Sequence, residues 1–295
     1  MNIGRPSWLP FRRFAALTTG LTLSLVVLGI YTAGGAYGAG CGAYWLTCNG
    51  NLLPGTFPAF IEWLHRFVAM IAGWFILGTA LWAWRSDHDR GTTAAALVAA
   101  GLLPVQVTLG AVTIQVYSQG TGVPAFVARN WATLIFAAHY LTATGIFLGL
   151  VVTTTLAYRG HYDRPVAGRV RLAVGAALAA MVPAAALSRA VPGLGYTPVI
   201  QVVFYLVAFG TLGAVVAAWL WAGRLSTPRL RAAITGGGAA LFAHLLLGLS
   251  FVSYTASVRA VDLGATVVAA GFFGLAALSA RRVDTETRSS GIAGD

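Results

Sequence analysis

The chain alternates between long runs of apolar residues and short segments that hold most of its charged residues. Each run has about the twenty residues that a helix needs to cross the roughly 30 Å hydrocarbon layer of a bilayer. The pattern therefore predicts eight transmembrane helices, which span residues 14–33, 59–84, 93–116, 131–157, 171–188, 197–222, 233–254 and 261–280.

Composition places the chain among integral membrane proteins. Hydrophobic residues make up 58% of it and charged residues only 9%, against about 25% charged residues in soluble domains. The mean hydropathy is +0.76. Because so few charges cannot cover a surface that faces water, the lipid bilayer is the expected partner of most of this surface. The predicted fold class is an all-α integral membrane protein.

The arginines indicate how the helices are oriented. All 19 basic residues are arginines. Fifteen lie at the two termini and in alternate connecting segments, whereas only three lie in the segments between those. By the positive-inside rule both termini are cytoplasmic, in a multi-pass protein of the cell membrane. Orientation also explains the net charge of +11, so no nucleic-acid partner is expected.

The predicted helices fall into two sets of four. The longest cytoplasmic connection, residues 158–170, is polar and separates an N-terminal bundle (1–157) from a C-terminal bundle (171–280). Residues 281–295 are polar and contain several Gly and Ser residues, so a disordered tail is expected there.

Short matches between the halves indicate two pseudo-repeated four-helix bundles. The second span ends in LWAWR at residues 81–85, and the sixth ends in LWAGR at residues 220–224. An even number of spans separates these equivalents, as in a parallel repeat. Counting back twenty residues from the last arginine of each motif gives His65 in the first half but Phe204 in the second. The two halves are therefore not chemically equivalent.

Four ionisable side chains lie inside the first four predicted spans, where charge is costly and usually marks function. They are Glu62, His65 and Arg66 in the second span and His139 in the fourth. His65 lies six residues and His139 eight residues inside helices that begin at the outer surface. Both are therefore at a depth of roughly 10 Å. Two imidazoles at one depth in one bundle predict the axial ligands of a flat cofactor. A zinc site made by both histidines and Glu62 is the alternative.

Cys41 and Cys48 are the only cysteines, and both lie in the first outer loop. An oxidising compartment permits a disulfide between them, and the neighbouring glycines allow a tight loop. We expect the pair to act as a structural staple over the mouth of the site. A redox-active pair is the alternative.

The order of these residues resembles the COX15/CtaA family, the haem A synthases. The resemblance rests on the cysteine pair, on the segment FIEWLHR at residues 60–66 that opens the second span, and on His139 in the fourth span. Gln106 in the third span adds a weaker match. The likeness is strong over residues 14–157 and mainly topological beyond them.

The resemblance implies an oxidoreductase that converts a ring methyl of haem O to the formyl group of haem A by successive hydroxylations. His65 and His139 would be the axial ligands of the haem iron, and Glu62 would be the catalytic acid near the methyl group. Arg66 and Arg129 would pair with the propionates. The implied partners are haem O synthase, which is a farnesyltransferase, and the cytochrome oxidase assembly machinery. A homo-oligomer is compatible with this interpretation.

The second half departs from the family, many members of which carry a second histidine pair for haem b. Phe204 takes one of the expected positions, and residues 261–280 contain no histidine. His244, in the seventh span, is expected to pack or to form hydrogen bonds. The C-terminal half is therefore expected to lack a bis-histidine haem b.

Two other functions stay open from the sequence. A non-catalytic haem-binding or electron-transfer membrane protein, related to the enzyme, would keep the histidines of the first half. A membrane thiol oxidoreductase would use Cys41 and Cys48, but such enzymes typically need a second cysteine pair.

Overall fold

The computed structural model of the protein describes residues 9–38, 40–42, 47–118, 125–191, 193, 195–225 and 227–292, and the side chains of all of these except 115–130 and 283–292. The fold in these ranges is helical. The helices are α1 (Phe11–Gly34), α2 (Phe57–Arg85), α3 (Arg90–Gly101), α4 (Leu103–Ser118), α5 (Ala125–Ala157), α6 (Val166–Ala186), α7 (Pro198–Ala222), α8 (Pro228–Leu247) and α9 (Ala256–Ile292).

Eight helical segments within the described ranges are long and apolar enough to cross a membrane, which confirms the predicted all-α membrane fold. α3 and α4 together make one of them, from Arg90 to Ile114. The helix is interrupted at Leu102, between Gly101 and Pro104. Because Pro104 has no N–H to donate to the carbonyl four residues before it, the two helices meet at a break.

The largest differences from the predicted spans are in α8 and α9. α8 occupies Pro228–Leu247 rather than 233–254, because a proline is favourable in the first turn and Gly248 follows the last. α9 continues to Ile292, well past residue 280 and through most of the segment expected to be disordered. This segment has no proline, and its opposite charges four residues apart in sequence favour a helix.

The chain divides into two compact units, and unit 1 is Met1–Tyr158. In unit 1, α1 and α3 each pack against both α2 and α5, so α2 and α5 lie on opposite corners of a four-helix ring. Hydroxyl pairs join the neighbours: Thr18 bonds Thr79 of α2 at 2.9 Å in a buried contact, and Thr19 bonds Thr154 of α5 at 2.8 Å in a half-buried one. Such polar contacts hold membrane helices together where lipid gives no hydrophobic driving force.

Unit 2 is Arg159–Asp295 and has a ring of its own. α6 packs against α7 and α9, and α8 packs against the same two helices. Each unit therefore has the same cyclic order of its four spans. The common origin of the two halves stays a prediction.

Candidate functional site

His65 and His139 lie on the diagonally opposed helices of unit 1. His65 lies in α2, eight residues after its first residue Phe57, and His139 lies in α5, fourteen residues after its first residue Ala125. The two imidazoles also interact electrostatically. The structure thus brings the two histidines to one site.

A glycine on an adjacent helix makes room for each imidazole. A Cβ atom added at Gly29 of α1 would lie 3.0 Å from Cε1 of His65, and one added at Gly110 of α4 would lie 3.3 Å from Cε1 of His139. Both distances are tighter than an ordinary van der Waals contact. The two rings therefore occupy space that any larger residue at these glycines would take.

Both imidazoles have a ring nitrogen that the bundle leaves unpaired. The Nδ1 atoms of His65 and His139 are buried and have no hydrogen-bond partner among the described residues. Nε2 of His139 lies 3.3 Å from Nε2 of Gln106, whose Oε1 is buried and also lacks a partner there. Since buried polar atoms in native proteins are nearly always hydrogen-bonded, these unpaired atoms mark a place for a further group. Histidine pairs of this kind suit haem iron.

Glu62 lies one turn before His65 and is held from two sides. Its Oε2 accepts a 2.8 Å hydrogen bond from the backbone N–H of Cys41, and its Oε1 pairs with Nη2 of Arg66. The same Nη2 donates to the carbonyl oxygen of Gly42 at 2.8 Å. Both ionic side chains are buried. The carboxylate is therefore fixed in orientation and tied to the outer loop.

The outer loop is closed by the predicted disulfide, which is present between Cys41 and Cys48. Both cysteines are buried and pack against Ala59 and Trp63 in the first turns of α2. Gly40 permits this approach, because a Cβ there would lie only 2.8 Å from Cα of Ala59. The disulfide thus fixes the loop on α2 at the level of Glu62.

The zinc alternative is not supported by this arrangement. Glu62 is engaged by the loop and by Arg66. Across the described parts of the chain, no group of three or more His, Cys, Asp or Glu side chains is placed to hold a metal ion. The two histidines form a pair without a third protein ligand of these types.

The two arginines expected near the propionates differ in outcome. Arg66 is buried and contacts Glu62 and the loop rather than extending toward the membrane surface. Its role toward a propionate stays a prediction. The side chain of Arg129 lies outside the described residues.

Unit 2 contains a different polar cluster, which the sequence only partly indicated. Nδ1 of His244 lies 2.5 Å from Oδ1 of Asp262, and Tyr254 donates its hydroxyl to Oδ2 of Asp262 at 2.6 Å. The hydroxyl of Thr266 lies 3.1 Å from Nδ1 of His244. Burial, followed by the hydrogen bond to Asp262, raises the pKa of Tyr254. His244 forms hydrogen bonds as expected, and its partner Asp262 was not predicted from the sequence.

The interior of unit 2 is filled by its own side chains. Phe204, Tyr205, Phe209 and Phe273 are all fully buried. The ring of Phe204 packs edge-on against His244, with centroids 5.2 Å apart and planes at 84°. His244 is the only histidine in the spans of this unit. The residues present do not fit a haem held between two histidines.

Comparison with known proteins gives a match over the part of the chain that holds this site. The family model described as "Cytochrome oxidase assembly protein", COX15-CtaA, matches residues 55–194. Proteins named "Heme A synthase" are similar: that of Bacillus licheniformis is 31% identical over 144 residues, which are 48% of this chain and 43% of that protein. That of Halalkalibacterium halodurans is 33% identical over 132 residues, 43% of this chain and 40% of that protein.

A protein with another name also matches. The "Protoheme IX farnesyltransferase" of Halobacterium salinarum is 32% identical over 130 residues, which are 44% of this chain and 26% of that protein. In each of these three comparisons the match spans less than half of the relative's length. The similarity therefore concerns one part of each protein.

Proposed function

We propose, from the confirmed resemblance of this multi-pass membrane chain to the haem A synthases of the COX15/CtaA family, that it oxidises a ring methyl of haem O to the formyl group of haem A. One observation carries the proposal. Two imidazoles of one bundle, each against a glycine, have a buried Nδ1 atom without a partner among the described residues, and a fixed carboxylate lies one turn from His65.

The histidines are proposed to bind and orient the substrate. His65 and His139 would hold haem O through its iron, which supplies the redox chemistry when the substrate is bound. Because the two histidines come from the diagonally opposed helices α2 and α5, they would hold the haem between these helices. Gly29 and Gly110 support this role, because they let the rings enter the interior of the bundle.

Glu62 is proposed to handle the proton. Its two oxygens are held by Cys41 and Arg66, so the carboxylate does not have to be oriented during the reaction. A fixed charge in a site that excludes water acts strongly on charge that develops nearby. Glu62 would take up the proton released when a C–H bond of the methyl group is broken, while the two electrons of that bond would pass to an external electron acceptor. Arg66 would keep the carboxylate in place.

We further propose one haem site for each chain, located in unit 1, without a haem b in unit 2. The closed core around Phe204 and the engagement of His244 by Asp262 support this restriction. The protein would lie in the cell membrane with both termini in the cytoplasm, as the distribution of arginines favours.

The proposed supplier of haem O is a farnesyltransferase. The relative named "Protoheme IX farnesyltransferase" matches this chain over only 26% of its own length, so most of that protein is a different segment. A segment similar to this chain thus occurs in one polypeptide with a farnesylating enzyme. The product would pass to the cytochrome oxidase assembly machinery, in keeping with the description of the matched family.

Co-expression with a haem O synthase tests the activity, with the extracted haems identified by mass spectrometry. Hydroxylated and formyl haem are expected from the wild-type chain. Glu62→Ala should abolish both products and leave haem O bound. His65→Ala and His139→Ala should each lose the haem, whereas His161→Ala, in the exposed linker, should behave as wild type.

A non-catalytic haem-binding protein is the second candidate. It is favoured by the engagement of both Glu62 oxygens, which leaves the carboxylate fewer lone pairs for a substrate proton. If bound haem O is recovered unchanged while an electron acceptor is present, the enzyme proposal is wrong and this candidate stands.

A further inference from the structure

Unit 2 gathers positive charge at the end where α6 begins, α7 ends and α8 begins. Residues 158–171 and 219–232 contain one acidic residue, Asp163. The same two stretches contain seven arginines, which are Arg159, Arg164, Arg169, Arg171, Arg224, Arg229 and Arg231.

Arg169 is seated in a small aromatic cage at this end. Its guanidinium carbon lies 4.6 Å from the ring centroid of Tyr162 and 5.6 Å from that of Trp221. The two rings meet edge to face at 5.3 Å. Nε and Nη1 of Arg169 are buried and have no hydrogen-bond partner among the described residues. These two nitrogens of Arg169 are thus held in place without an acceptor in the described part of the chain.

A second arginine has an aromatic contact on another side of α7. The guanidinium carbon of Arg231 lies 4.3 Å from the ring centroid of Trp219, and its buried Nε likewise lacks a partner in the described structure. The same carbon would lie 3.7 Å from a Cβ at Gly223, the residue before Arg224. Both seated arginines therefore flank the end of α7.

The positive charges of this cluster also act on one another. Partial loss of hydration, and then the charges of Arg159 and Arg169, lower the pKa of Arg224. Bringing like charges together is unfavourable unless an opposite charge is supplied. The cluster has the electrostatics of an anion site.

Membrane orientation explains why arginines are numerous here, but it does not explain how they are held. An arginine that only directs insertion can extend into water. It needs neither an aromatic seat nor buried N–H groups without acceptors, which cost free energy. The geometry of Arg169 and Arg231 requires a partner with oxygen acceptors.

We infer that Arg169, together with Arg224, forms a binding site for the phosphate headgroup of an anionic phospholipid. The site lies at the ends of apolar spans, where headgroups lie, and Trp219 and Trp221 suit the membrane interface. Basic pockets between transmembrane helices are known to take such headgroups. A guanidinium offers paired N–H donors that match phosphate oxygens. This inference is independent of the proposed enzymatic function.

Native mass spectrometry of the full chain in detergent tests the site, with phosphatidylglycerol and phosphatidylcholine added in equal amounts. We expect phosphatidylglycerol to be retained preferentially by the wild-type chain and to raise its melting temperature. Arg169→Gln and Arg224→Gln should each weaken this binding about five- to tenfold. Arg229→Gln, an exposed arginine at the same end, should retain nearly full binding.

Arg224 is exposed, so its variant decides the matter even if Arg169→Gln does not fold. Equal retention of the two lipids, or equal losses in the Arg224 and Arg229 variants, would overturn the inference. Sodium phosphate at millimolar concentration is the third ligand to be tested. If it raises the melting temperature as much as phosphatidylglycerol does, the site takes a soluble anion and the lipid assignment is wrong.

Discussion

At the scale of single residues, the fit of the two imidazoles depends on the glycines beside them. Gly29→Ala should weaken haem binding about tenfold, because the new methyl group would lie 3.0 Å from Cε1 of His65 and push the ring aside. Gly20→Ala on the same helix is the matched control, since nothing lies within 4 Å of the added Cβ. It should keep the haem and melt slightly higher, as alanine favours a helix over glycine. Haem titration followed by absorbance measures both. Equal affinity in the two variants would show that Gly29 does not limit the site.

Gln106 provides a second prediction at this scale. Its amide lies 3.3 Å from Nε2 of His139, so this contact is lost if the iron binds Nε2 rather than the unpaired Nδ1. A hydrogen bond contributes about 0.5–1.5 kcal/mol net, so Gln106→Leu should tighten haem binding roughly two- to tenfold. The same titration measures this effect. Thr108→Val is the control, because the hydroxyl of Thr108 donates to the backbone carbonyl of Pro104. Weaker binding in the Gln106 variant would instead assign the amide a contact with the bound haem.

The residues of the site were predictable to different degrees. His65 and His139 stand out because ionisable groups are rare in apolar spans. Counting residues from the start of each predicted span places both at a similar depth. The contacts of Glu62 with Cys41 and Arg66 were not predictable, because they depend on how the outer loop folds back. Asp262 was overlooked, since an acid near the start of a span looks like part of the preceding loop. Only its pairing with His244 shows that it is buried.

At the scale of elements, the outer loop and the start of α2 act as one piece. Replacing both Cys41 and Cys48 by Ser should cost about 2–3 kcal/mol of the free energy of unfolding, as expected for a short disulfide loop. Turnover of haem O should fall as well, because the released loop no longer holds the backbone N–H of residue 41 against Glu62. Bound haem should remain, since its ligands lie deeper in the bundle.

Two measurements check the role of this loop. Thermal unfolding reports the loss of stability, and haem extraction after co-expression reports turnover and occupancy separately. Treatment of the wild-type chain with a dithiol should reproduce the loss of turnover without any substitution. Full activity in the serine variant would mean that the disulfide stabilises the loop without positioning Glu62.

The hydropathy pattern predicted the spans well because a bilayer imposes a minimum apolar length on every helix. It did not predict the break at Leu102, since α3 and α4 share one continuous apolar run in which Pro104 is the only sign. The end of α8 was placed too far along the chain, at residue 254 instead of Leu247. Residues 248–254 are apolar enough to extend the pattern, but hydrogen bonds from Arg189 to the carbonyls of Leu249 and Val252 hold them outside the helix.

At the scale of the whole molecule, the two units have the same order of helix contacts but different polar groups in their interiors. Each is a ring of four spans. Unit 1 leaves imidazole nitrogens unpaired on opposed helices. Unit 2 joins α8 to α9 through His244 and Asp262, and fills the space beside them with aromatic rings. The two units thus keep the same order of helix contacts, although the interior of unit 2 is closed by its own side chains.

This difference predicts that damage to unit 2 lowers stability without removing haem. Asp262→Ala leaves His244 without its acid in a buried setting, and breaking such a pair costs about 3–5 kcal/mol. His244→Ala should cost less, because Tyr254 still donates to Asp262. The double variant should be less destabilised than the sum of the two, as expected for residues in contact. All three should retain the one haem per chain proposed for the wild type, measured as the ratio of extracted haem to protein. A ratio of two in the wild type, or loss of haem in the His244 variant at a temperature where it stays folded, would show that unit 2 binds haem after all.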